Sequence, residues 1–177
     1  LALATWWLVS NTPRPAEPRE AVPPRHEPDY TMQGLTLQRF GADGALRVQV
    51  QGERMRHYPD TDTMEIDQAT IRATAPDGSV TVASARLAVS NSDASQVQLQ
   101  GGARVRREAT AAAAAIEFES EFLHAFLDTE RVTSHLPVRL RQGTSEMRVA
   151  SLDYDNLTRT AKLGGPLRAR FGVPPKK

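Results

Sequence analysis

The chain has 177 residues, enough for one ordinary domain with a tail. Hydrophobic residues make up 40% and charged residues 24%, a globular balance that excludes wholesale disorder. With 22 Lys+Arg against 21 Asp+Glu the formal net charge is +1, which argues against nucleic acid as a bulk electrostatic partner. The absence of cysteine removes disulfide scaffolds, thiolate metal sites and thiol nucleophiles.

Leu1 to Val9 are uncharged and mostly apolar. Nine residues fall short of the roughly 20 that cross a bilayer. Residues 1–10 read as the end of a longer N-terminal transmembrane helix, with Trp6 and Trp7 at the membrane–water boundary where aromatic rings collect. The other reading is the end of a secretory leader, but no small-residue cleavage pattern follows Trp7. Six of the 12 prolines fall between Thr12 and Asp29, mixed with charges and almost nothing to bury. Residues 11–29 are therefore expected to be an extended tether that does not fold on its own.

From residue 30 to residue 172 the dominant period is two. Leu46, Val48 and Val50 alternate with Arg47, Gln49 and Gln51. Val97, Leu99, Ala103 and Val105 alternate with Gln98, Gln100, Arg104 and Arg106. Val138 and Leu140 alternate with Arg139 and Arg141. Strands with one wet face are the habit of antiparallel sheets. Turn signals separate the runs, at Gly41 to Gly44, Pro76 to Gly78 and Asn91 to Asp93. The inward series is expected to include Val48, Val50, Val82, Val97, Leu99, Phe118, Phe122, Val138, Leu140, Val149 and Leu163. The stretch 111–127 is ambiguous. Phe118, Phe122 and Phe126 make a helical stripe, yet 116–122 also alternates, and its neighbours favour a strand. Residues 173–177 are a tail.

A pattern repeats 64 residues apart: Leu99-x-Gly101-x-Ala103-x-Val105 returns as Leu163-x-Gly165-x-Leu167-x-Ala169. Glycine inside a strand marks a bulge or bend, so two equivalent bends are expected.

No catalytic constellation emerges. The histidines, His26, His57, His124 and His135, lack metal-ligand spacing, and no metal or cofactor is implied. Glu117, Glu119 and Glu121 share one strand face, and three equivalent carboxylates lack the unlike environments that acid–base pairs need. Leu, Ile, Val and Phe total 37 and alanine adds 24, which suggests a thin apolar layer. That layer fits either a dry sandwich core or an open groove for acyl chains.

The order of these pieces resembles the LptC family of bacterial lipopolysaccharide exporters. The resemblance rests on the apolar segment ending in Thr5-Trp6-Trp7, the polar linker, Asp29-Tyr30-Thr31-Met32, the Leu99-x-Gly101-x-Ala103 motif, His135-Leu136-Pro137-Val138 and Ala150-Ser151-Leu152-Asp153-Tyr154-Asp155. Ser151 stands where the family usually has glycine. The resemblance implies an open, twisted antiparallel β-jelly roll of the all-β class whose interior binds lipopolysaccharide. It also implies a single-pass inner-membrane anchor, a periplasmic domain, a permease–ATPase complex as partner and handover to the bridge protein LptA. A C-terminal partner edge would comprise Leu163, Leu167, Arg168, Ala169, Arg170 and Phe171. The competing readings are a soluble bridge protein of the same fold and a carbohydrate-binding β-sandwich.

Overall fold

In a computed structural model, residues 25–170 are described, apart from 112, 128, 156 and 159. Trp6, Trp7, the anchor, most of the tether, Phe171 and the 173–177 tail lie outside them. Among the described residues, twelve strands form one antiparallel sheet: β1 (Tyr30–Phe40), β2 (Leu46–Tyr58), β3 (Thr63–Thr74), β4 (Val80–Asn91), β5 (Gln96–Arg107), β6 (Ile116–Phe126), β7 (Arg131–Ser134), β8 (Val138–Gln142), β9 (Ser145–Val149), β10 (Ser151–Asp155), β11 (Thr160–Gly164) and β12 (Arg168–Arg170). The ambiguous Phe stretch is a strand, as its alternation predicts, because β5 on one side and β7 and β8 on the other supply its ladder bonds.

Asp-based turns close the β1–β2, β3–β4 and β4–β5 hairpins. Asp43, Asp77 and Asp93 each accept the backbone N–H two residues on, from Ala45, Ser79 and Ser95. That bond closes the turn and holds the Asp43 and Asp93 carboxyls below their usual range, while at Asp77 the Ser79 hydroxyl leads the same effect and the backbone bond adds to it. A residue with positive φ follows each aspartate: Gly44, Gly78 and Ala94.

The six long strands do not keep one inward phase. Directly opposed residues share a face, and the core positions change parity part-way along β2, β3, β4 and β6. In β3 the buried pair is Ile66 and Ala69, in β4 Ala85 and Ala88, and in β6 Phe118 and Leu123. In β5 the same place is taken by Gly101 and Gly102, with φ +76° and +62°. Gly34 and Gln68 also have positive φ. These irregularities line up across the sheet as a crease that divides it into two walls. Small residues gather beside it, with Ala69 opposite Ala85 and Ala103 opposite Ser120. Two walls converge at an apex and leave no room there for larger side chains.

At β6 the sheet splits. Residues 116–120 pair with β8, and the ladder continues through β9 to β12. Residues 124–126 pair with β7, and the ladder continues through β10 to β11. The second copy of the repeat lies where the chain leaves β11 for β12, crossing from one wall to the other. Its Gly165 has φ +78°, matching Gly101. Both copies mark bends, as expected.

Val82 and Phe122 depart from the expected inward face. Val82 stands opposite Arg72 and Arg106 on the outer face, and Ala83 takes the inner position. Phe122 stands opposite Gln100 on the outer face, and Leu123 takes the inner one. The parity change explains Phe122. For Val82, the inner positions of that part of β4 are simply the odd ones.

Candidate functional site

The candidate site is the space between the walls. Val97, Leu99, Leu123 and Leu152 come from one wall and Ala103, Val105, Phe118, Val138, Leu140 and Val149 from the other, and together they form one buried cluster. The walls touch. The ring of Phe118 on β6 lies 5.1 Å from that of Tyr154 on β10. Leu123, absent from the predicted series, is 0% exposed. Full burial of such side chains stabilises by about 1.5–3 kcal/mol each. Val48 and Val50 face inward on the same wall as Phe118 but are only half-buried.

Apolar side chains become exposed at both ends of the cluster. On β1, Met32 is 47% and Phe40 57% exposed, with Tyr30 and Leu37 beside them. At the other end Leu163, opposite buried Leu152, and Leu167, at 55%, are open to solvent. Arg168, Ala169 and Arg170 form β12, which among the described residues pairs with β9 alone. Surface hollows range from polar to mostly apolar, the latter including one of about 620 Å³ at Phe122, His124, His135, Leu152 and Leu163. One of about 500 Å³ lies over the crease, lined by Gln33, Glu53, Arg54, Asp67, Gln68 and Arg86.

Charged groups fasten the outside. The Glu121 carboxylate accepts the Gly102 N–H at 3.2 Å and lies 3.6 Å from Arg86. A side chain at Gly101 would fall 2.5 Å from the Arg86 Nε, so glycine lets this arginine lie across the bend. Arg131 grips Asp153 with two bonds, of 2.6 and 2.5 Å, which hold that carboxyl below its usual range. His124 on the outer face meets Phe122 edge-on and Phe126 at a tilt, and burial lowers its imidazole pKa.

Residues 25–29, the described end of the tether region, rest on the end of β2. His26 stacks on Tyr58 at 4.1 Å and meets Asp60 at 2.9 Å. His57 stacks on Tyr30 and bonds Asp29 at 2.7 Å, which with Asp62 raises the imidazole pKa. Composition gave no sign of this clasp, because its partners lie about 30 residues apart. Among the described residues no helix is long and apolar enough to cross a membrane.

The family model for LptC-related lipopolysaccharide-assembly proteins matches residues 1–171. The chain belongs to that family. Among solved structures, the fold is similar to that of LptH, the LptA-homologous periplasmic component of the lipopolysaccharide transport device from Pseudomonas aeruginosa. The TM-score is 0.60 at 10% identity, covering 71% of this chain and 95% of that one. At that identity the likeness is one of fold. No curated protein matches the sequence. Membership in the LptC family places the chain in lipopolysaccharide assembly, and its two-walled sheet is the structural counterpart.

Proposed function

We propose that the protein receives lipopolysaccharide from a permease–ATPase complex in the inner membrane and passes it to a periplasmic bridge protein, LptA, with the acyl chains held between the two walls. The observation that carries this reading is the apolar cluster with an exposed apolar mouth at each end. Each methylene that leaves water contributes about 0.8 kcal/mol. Parting the walls gives up their mutual contacts, but acyl chains of the same polarity take their place. The exchange is therefore far cheaper than opening a water-filled gap.

The lining would comprise Val48, Val50, Val97, Leu99, Phe118, Val138, Leu140 and Val149, with Leu163 at the mouth. The β1 edge would face the membrane complex. The other edge, Leu163 and Leu167 to Phe171, would take a strand from the bridge protein, because an unpaired edge offers a ready ladder. Residues 1–10 would anchor the chain in the inner membrane through a helix flanked by Trp6 and Trp7, and residues 11–29 would hold the domain in the periplasm. The reading assigns the chain no bond-making step. The family match favours this anchored role over that of the soluble bridge protein.

A photo-crosslinking amino acid placed at Phe118 or Val138 is expected to capture lipopolysaccharide in cells. The same group at Gln49 or Val82 is expected to capture none. Val82 is the stricter control, being apolar yet outward. Equal capture at all four positions would overturn the proposal.

A further inference from the structure

One wall displays its outward residues in two cross-strand rows over β5, β6, β8, β9 and β12. The first row reads Arg106, Glu117, Arg141, Glu146, Arg170. The second reads Arg104, Glu119, Arg139, Arg148, Arg168. The first alternates in sign at every step. The second alternates only as far as Arg139 and then runs through three arginines in direct register. Like charges placed directly opposite destabilise a ladder.

The carboxylates at hand are already shared. Glu119 lies 2.6 Å from Arg104 and 3.1 Å from Arg139. Glu146 lies 3.3 Å from Arg141, 3.2 Å from Arg148 and 3.7 Å from Arg139. Arg168 and Arg170, both exposed, form no ion pair among the described residues. They stand on β12, whose far side carries no strand among the described residues. Among the described residues both rows thus end on an unpaired cation at an open edge.

We infer that the next position in both rows belongs to a partner strand bearing two acidic side chains, two residues apart, opposite Arg168 and Arg170. Between them it bears an apolar residue that turns inward beside Ala169. Such a strand continues the alternation of the first row and supplies the carboxylate that the second row lacks. The edge strand of the docking partner is thereby specified as acidic, apolar, acidic. This rests on the proposed docking of a strand at the C-terminal edge and adds the charge rule that selects it. Strand pairing would supply affinity, and the flanking charges would set partner and register.

The test uses the full chain and three labelled nine-residue peptides of alternating Val and Thr with a solubilising tail. Two consecutive outward positions are set to Glu, Gln or Lys. Each opposite-charge pair across a ladder is worth a few tenths to one kcal/mol. Fluorescence anisotropy at low salt should therefore show the Glu peptide binding about two- to thirtyfold tighter than the Gln peptide, with the Lys peptide weakest. Arg168→Glu with Arg170→Glu should invert the order of the Glu and Lys peptides, and Arg168→Gln with Arg170→Gln should level all three. A Glu peptide N-methylated along its backbone keeps its charges but cannot pair, and it should not bind. Equal binding of the Glu, Gln and Lys peptides would overturn the charge rule and leave strand docking standing. Undiminished binding of the N-methylated peptide would show a diffuse cationic surface and overturn the inference. Failure of every peptide to bind would overturn both the rule and the docking edge.

Discussion

Gly101→Ala probes the crease. Gly101 sits at φ +76°. An L-residue in that left-handed region costs about 1–2 kcal/mol relative to glycine. The new methyl would also fall 2.5 Å from the Arg86 Nε and 2.8 Å from its Nη2. That guanidinium is the end of a flexible side chain, and its partner Glu121 is 70% exposed, so displacing it adds little. The backbone term dominates. A domain of this size loses roughly 2–4 °C of melting temperature per kcal/mol, so a fall of about 2–8 °C is expected by circular dichroism. Gly102→Ala is the control, with φ +62° and nothing within 4 Å of the added carbon. It should fall by a similar amount, and adding Arg86→Ala to Gly101→Ala should recover almost none of the loss. An alanine at 101 that melts within about 1 °C of the parent would refute the backbone argument. A harmless Gly102→Ala beside a costly Gly101→Ala would move the cause to the arginine.

Leu123→Ala should destabilise by about 2–5 kcal/mol in denaturant titration, the usual range for a filled core position. Phe122→Ala, on the outer face, should lose clearly less, and the reverse order would contradict the assigned phase of β6. The clasp at residues 25–30 predicts a pH dependence. Bonding to Asp29, aided by Asp62, raises the folded His57 pKa above its ordinary 6.5, so the contribution is complete below that value and fades as pH rises through the raised one. Thermal stability should therefore drop more between about pH 6 and pH 8 in the parent than in His57→Gln, and parallel profiles would exclude the clasp as the cause.

The strands, the hairpin turns and the repeat were legible in the sequence because each has a local cause. Alternation reports a half-wet strand, Asp-Gly reports a turn, and glycine within a run reports a bend. The parity changes had no such signal. At the crease β3 uses Gln68, β4 uses Arg86 and β6 uses Glu121, and none of these residues is distinctive for a bulge. A strict period of two carried across that line places Phe122 inside and overlooks Leu123. Alanine also misled. Ala69, Ala88 and Ala103 are too small to suggest a core, yet each is at most 2% exposed, since an apex demands small side chains. The histidine clasp and the arginine row depend on pairings between distant strands, which only the register discloses.

The split at β6 gives the molecule unequal stiffness along its length. β1 to β6 run unbroken through both walls, so prying the walls apart there must bend six continuous strands. Beyond β6 the walls are separate ribbons, β7–β10–β11 and β8–β9–β12, joined by short links at 135–137, 150 and 165–167. Those ribbons can swing about their links like jaws without breaking a ladder bond between strands, losing only side-chain contacts such as Phe118 on Tyr154. A guest pressing outward from inside therefore meets least resistance at the β11 and β12 end. The fold is a spring clip with its rigid back at β1 to β6 and its compliant tips at the last two strands.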